Sequence, residues 1–265
     1  MTREHSINPF DTQLGCRFPL SQEKSFLINF ITLLATDPAD KTAPRGMSDL
    51  VARAVDELYA KYDDRGKGAN VPKPYVEGED QVVDEAIKHH GIILPEETTW
   101  WYVVDELFEH GDIRHAILAQ RYAVPLIHEL SGIVNIPQIT DIYGEQRIDG
   151  NEKLITAFQR TISSSLRSYS ILSQPTKFDI GDSRIVSMNL EEVAPKGEGP
   201  ARKQTSMVYM LARYVLARDF YLNEDNVKEI PKDYRIHHEA RIKRNKETPK
   251  RIVYDEFHRT EGSQP

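Results

Sequence analysis

The chain has 265 residues, 34 Lys+Arg against 41 Asp+Glu for a formal charge of −7, and one cysteine, Cys16. Apolar residues make up 39% and mean hydropathy is −0.53, which suits one large or two small water-exposed domains with a real core. A single cysteine excludes an internal disulfide framework and a zinc site of the Cys-pair kind, and it points to a reducing compartment. The apolar run Phe26–Leu34, interrupted by Asn29 and Thr32, is too short for a bilayer span. Met1–Ser6 has no signal-peptide core.

In chain order, Ser6–Phe10 reads as a short extended start, and Asn8-Pro9 through Gly15 as the loop behind a strand. Ser21 reads as the N-cap of a helix over Lys24–Ala35, apolar nearly all round and therefore expected to be buried. Asp37-Pro38 stops it. Ser48 reads as the cap of an amphipathic helix to Tyr62, with Leu50, Val51, Ala54, Leu58 and Tyr59 on one stripe. Gly66, Gly68, Pro72, Pro74 and Gly78 mark a loop over Asp63–Gly78. Helices are expected over Glu79–His89, Thr99–His110, Ile113–Gly132 and Asn151–Ser173, with no strand between Gly15 and Asp182. Beyond that the character changes. Arg184–Leu190 is a short β-type run, Lys203–Leu222 an amphipathic helix, Pro231–Asn245 a basic helix and Arg251–Tyr254 a second short strand. Strand, crossover helix, strand predicts a βαβ unit with its two strands parallel. The expected organisation is a strand and loop over 1–20, an α-helical subdomain over 21–180 and a βαβ segment over 181–265.

Charge is unevenly spread. Residues 77–112 hold eleven acids and one base, and residues 228–251 hold nine Lys/Arg and four Asp/Glu. Either stretch reads most simply as solvated helix surface. Two other readings stay open: a partner-docking acidic face, and a DNA-tracking element in the basic 228–251 segment.

One motif carries chemistry. In Lys250–His258, apolar residues run up to Asp255-Glu256, the pattern of a Walker B strand. There the first carboxylate sits near Mg²⁺ and the second orients the attacking water. Neighbouring strand residues point to opposite sides, so one can face the metal while the other faces the phosphate. The partner motif is missing: no Gly-x4-Gly-Lys-Ser/Thr occurs, and Gly66-Lys67 is followed by Gly68.

The stretches Ile7–Leu20 and Arg251–Thr260 resemble the IcmB/DotO (TraU-like) ATPases of type IVB secretion and conjugation systems, from after Walker A to just past Walker B. The resemblance implies a mostly α fold with a small α/β part, in which a partial RecA-like P-loop NTPase sheet carries a large helical insertion. It implies Asp255 as the Mg²⁺-ATP-side acid and metal ligand, and Glu256 as the catalytic residue. Mg²⁺ and ATP would be cofactors of the complete parent, an ATPase. This chain alone would hold neither and would be inactive, because Walker A is absent. Partners would be other type IV secretion components and further copies in a hexameric ring, with DNA a possible ligand. The implied location is cytoplasmic, peripheral at the bacterial inner membrane.

The remaining constellations are weaker. The histidines invite a metal reading, but Glu106 and His110 have helical spacing with nothing near in sequence to complete a set. Trp100-Trp101-Tyr102 fits a helix core better than a docking patch, because Val103, Val104, Leu107 and Phe108 continue the apolar pattern. Cys16 is expected to be buried.

Overall fold

The computed structural model describes residues 6–37, 42–68, 70–177, 183, 185–191 and 193–253. Among them lie ten α-helices linked by irregular segments and short 3-10 turns, and no β-strand. They are α1 (Ser21–Leu34), α2 (Met47–Tyr62), α3 (Gln81–His90), α4 (Trp100–Glu109), α5 (Ile113–Ala123), α6 (Leu130–Ile133), α7 (Pro137–Tyr143), α8 (Leu154–Ser168), α9 (Pro200–Ala217) and α10 (Arg235–Glu247).

The apolar stripes place these helices, and polar side chains set their ends. On α2, Leu50, Val51, Ala54, Leu58 and Tyr59 are all buried, as the periodicity predicts. Asp80, Thr99 and Asp112 cap α3, α4 and α5 by accepting backbone N–H groups of the first turn. Two expected caps are corrected. Ser21 lies inside α1, and the preceding Leu20 N–H is held by Glu23 Oε2 at 3.0 Å while Ser21 bonds Glu229. At α2 the cap position is Gly46, at φ +81°, and Ser48 is already helical. The expected helix Ile113–Gly132 breaks at Val124-Pro125, because proline restricts the residue before it and offers no N–H to the ladder.

The α/β expectation is overturned. Residues 185–190 have no regular structure, and Ile185 is 92% exposed. Arg251–Val253 is likewise irregular and exposed, and Ser6–Phe10 is buried without forming a strand. Arg184 and Tyr254, the outer ends of the two expected strands, lie outside the described residues. The physical reason is that a strand needs a neighbouring backbone for its N–H and C=O groups. No described segment pairs its backbone with either run in a ladder, so among the described residues no βαβ unit and no RecA-like sheet forms. Among the described residues, β-type pairing is limited to two isolated bridges, Pro74 with Thr99 and Arg147 with Lys153. Helix α9, expected to cross a sheet, packs on α1 instead, with Tyr214 stacked on Phe26 at 4.1 Å between ring centroids.

Two apolar cores result. The first joins α1, α2, α6 and α8 with Met207 and Leu211 of α9. The second joins α3, α4 and α5 with Leu222, Ile230, Tyr234 and Ile242. The irregular segment 6–20 serves both. Ile7 and Phe10 enter the first core; Leu14, Cys16 and Leu20 enter the second. Cys16 and the Trp100-Trp101 pair are buried, in line with the sequence reading.

Candidate functional site

The two residues singled out for chemistry, Asp255 and Glu256, lie outside the described residues. Arg251–Val253, which lead into them, are exposed and irregular. Gly66-Lys67-Gly68, the nearest sequence relic of a phosphate loop, lies in an exposed bend after α2. Among the described residues no group of three or more His, Cys, Asp or Glu side chains is placed to hold a metal ion.

What the fold does build is a polar junction around segment 6–20. This backbone is buried yet irregular, so its polar groups need side-chain partners. Gln120 on α5 meets three of them: Nε2 donates to Thr12 O at 3.1 Å and Gln13 O at 3.1 Å as well as to the Thr12 hydroxyl at 3.0 Å, and Oε1 accepts from Gly15 N at 2.7 Å. Tyr59 of α2 donates its hydroxyl to Phe10 O at 2.6 Å, and His238 Nε2 of α10 donates to Leu14 O at 2.9 Å. Asn8 Nδ2 donates to Pro125 O at 2.8 Å, and Tyr214 and Arg218 both donate to Asp11 O. Four helices and the turn after α9 thus grip one strap. Gly15 has φ +77°, and a Cβ there would lie 2.3 Å from the Tyr234 ring, so the close approach requires glycine.

Charges are buried with the strap. Burial pushes the carboxyl groups of Asp11 and Glu23 above their usual range, against the pull of Arg218. Arg17, 4% exposed at its side chain, bridges Asp64 at 2.8 Å and Asp105 at 2.7 Å while its guanidinium lies 4.3 Å over the Trp101 ring. Asp105 also accepts the Tyr234 hydroxyl. Burial alone would raise Asp105; the hydrogen bonds and charge of Arg17 hold it below the usual carboxylate range.

A cleft of about 400 Å³ opens between the 71–79 loop and the C-terminal ends of α2 and α5. On its wall Glu129 accepts the Tyr62 hydroxyl, the Leu126 N–H at 2.5 Å and Lys73 Nζ at 3.2 Å. Burial pushes the Lys73 ammonium below its ordinary pKa, although Glu129 pulls the other way. Tyr62, Glu129 and Lys73 thus satisfy one another, which braces the wall of the cleft. No sequence signal points to it, because its residues come from segments more than a hundred positions apart.

The acidic and histidine-rich stretches are in part internal. Asp84 accepts the Tyr75 hydroxyl at 2.5 Å and Gly78 N at 2.8 Å, Asp105 holds Arg17, and Asp112 Oδ2 meets His90 Nε2 at 2.9 Å and His115 Nδ1 at 2.7 Å. Glu85, Glu96, Glu97 and Glu109 remain exposed. Glu106 and His110 meet only through the backbone, His110 Nδ1 bonding Glu106 O.

No protein-family model, curated protein or solved structure matches the chain. No helix among the described residues is long and apolar enough to cross a membrane.

Proposed function

We propose that this chain is the helical part of an ATPase that powers type IVB secretion or conjugal transfer, with ATP hydrolysis carried out by the complete protein. One observation carries the reading. The Ile7–Leu20 stretch, which bears the resemblance to these ATPases, is the strap on which both apolar cores close. A segment so placed can pass a small displacement to both helical groups, because packed cores and buried hydrogen bonds shift as units. The Asp255-Glu256 pair supplies the second support: its carboxylates suit a metal-bound phosphate and its attacking water.

The test is magnesium-dependent phosphate release by the purified native gene product and by its Glu256→Gln variant. The substitution keeps shape and removes the water-activating charge, so turnover should fall about 10²–10⁴-fold while ATP still binds. A native gene product without ATPase activity, or full turnover in Glu256→Gln, would overturn the reading.

A further inference from the structure

Helix α9 ends in a 3-10 turn, Arg218–Tyr221, that leaves two neighbouring rings in solvent: Phe220 is 36% and Tyr221 46% exposed. Both stand among cations. Arg213 donates to the Tyr221 hydroxyl at 3.0 Å, with its guanidinium 5.8 Å from the ring centroid, and Lys250 Nζ lies 5.9 Å over the Phe220 ring. The turn is held firmly against the end of α10. Asn245 Nδ2 donates to Asp219 O at 2.7 Å, Arg241 pairs with the Asp219 carboxylate, and Lys246 meets Glu224 at 2.6 Å. Beyond those tethers the edge is basic. Apart from Lys246, which Glu224 holds, the exposed positions of 241–251 carry Lys243, Arg244, Lys250 and Arg251 against one acid, Glu247.

We propose that this edge binds single-stranded nucleic acid, the two rings stacking against unpaired bases and the surrounding Lys and Arg taking the backbone phosphates. The composition selects this partner. Base stacking on exposed aromatics combined with a cationic track is the general mode of single-strand binding, and it needs no base-edge readout. A duplex keeps its bases stacked on one another and would leave the rings unused. A membrane surface calls for a continuous apolar helix face, whereas on the last two turns of α10 the exposed positions are mostly charged. The proposal does not rest on the ATPase reading.

The experiment is fluorescence anisotropy of the 265-residue chain with labelled oligo-dT of about 16 nucleotides, a duplex of equal length and phosphatidylglycerol vesicles. Oligo-dT should bind best, with affinity falling as salt rises by roughly 0.7 log units per log unit of salt for each phosphate contacted. Phe220→Ala/Tyr221→Ala should weaken oligo-dT binding about tenfold or more and leave the salt slope unchanged. Lys243→Glu/Arg244→Glu should weaken it and flatten the slope. Phe220→Leu/Tyr221→Leu, which keeps apolar bulk, guards against unfolding and should weaken binding in the same way, with circular dichroism unchanged. The proposal fails on any of three outcomes: no oligo-dT binding at about 50 mM salt, duplex or vesicles bound as tightly as oligo-dT, or unchanged oligo-dT affinity in the folded leucine variant.

Discussion

Segments 7–20 and 185–190 are both apolar-rich and both outside any helix, yet one is the buried centre of the molecule and the other lies in solvent. Phe10 is fully buried and Leu14 is 4% exposed; Ile185 is 92% exposed. The difference lies less in their own side chains than in what surrounds their backbones. Around the strap stand Gln120, Tyr59, His238, Tyr214 and Arg218, each delivering a hydrogen bond to it. Each such bond contributes only about 1 kcal/mol net, but a buried carbonyl left without one costs about 1–3 kcal/mol. Apolar side chains alone therefore cannot bury an irregular backbone; partners from elsewhere in the chain must meet it.

Substitutions can break that contrast. Gly15→Ala should have the largest effect, about 3 kcal/mol or more of lost stability, since it adds left-handed backbone strain to a collision with the Tyr234 ring. Urea unfolding would measure it. Gln120→Leu keeps the bulk and removes four bonds to the strap; about 2–3 kcal/mol of destabilisation is expected by the same assay.

A third prediction concerns pH. Lys203, at the start of α9, donates to Leu34 O at 2.9 Å and Thr36 O at 2.6 Å, and burial pushes its ammonium down to about 8. The folded value lies below the unfolded one, so the fold disfavours the charged form. That penalty is full below pH 8 and vanishes as pH rises toward the unfolded lysine value, about 10.4. Nominally it is about 3 kcal/mol; the two carbonyl acceptors, which favour the ammonium, reduce it to about 1–2 kcal/mol. Stability of the wild type relative to Lys203→Met should rise by that amount between pH 8 and 10.5, read from paired urea titrations. The smallest effect is expected at the exposed run: Ile185→Ser should change stability by no more than about 0.5 kcal/mol.

These contrasts show which physics a sequence displays. The stripe of α2 and the Trp100-Trp101 burial were legible because helical periodicity is local. The caps Asp80, Thr99 and Asp112 went unread, although each stands one residue before its helix. The caps at α1 and α2 were misread because Glu229, over two hundred residues away, claims Ser21, and a left-handed Gly46 starts α2 early. Arg184–Leu190 and Arg251–Tyr254 read as strands because composition reports what a segment could pair with, and pairing itself is non-local. The same holds for sites. Asp255-Glu256 stands out as adjacent letters, whereas the Tyr62–Glu129–Lys73 brace joins residues that no spacing rule connects. The Phe220-Tyr221 edge was half visible, as a basic stretch without its rings.

The strap's role is tested most directly by native-state hydrogen exchange. Gly15 N–H is held by Gln120 Oε1 at 2.7 Å and Cys16 N–H by Gln13 O at 2.9 Å, both beneath packed helices. Their amides should exchange only with the slowest core amides of α2 and α4, through global unfolding. Exchange at the strap as fast as that of residues 185–190 would contradict the account.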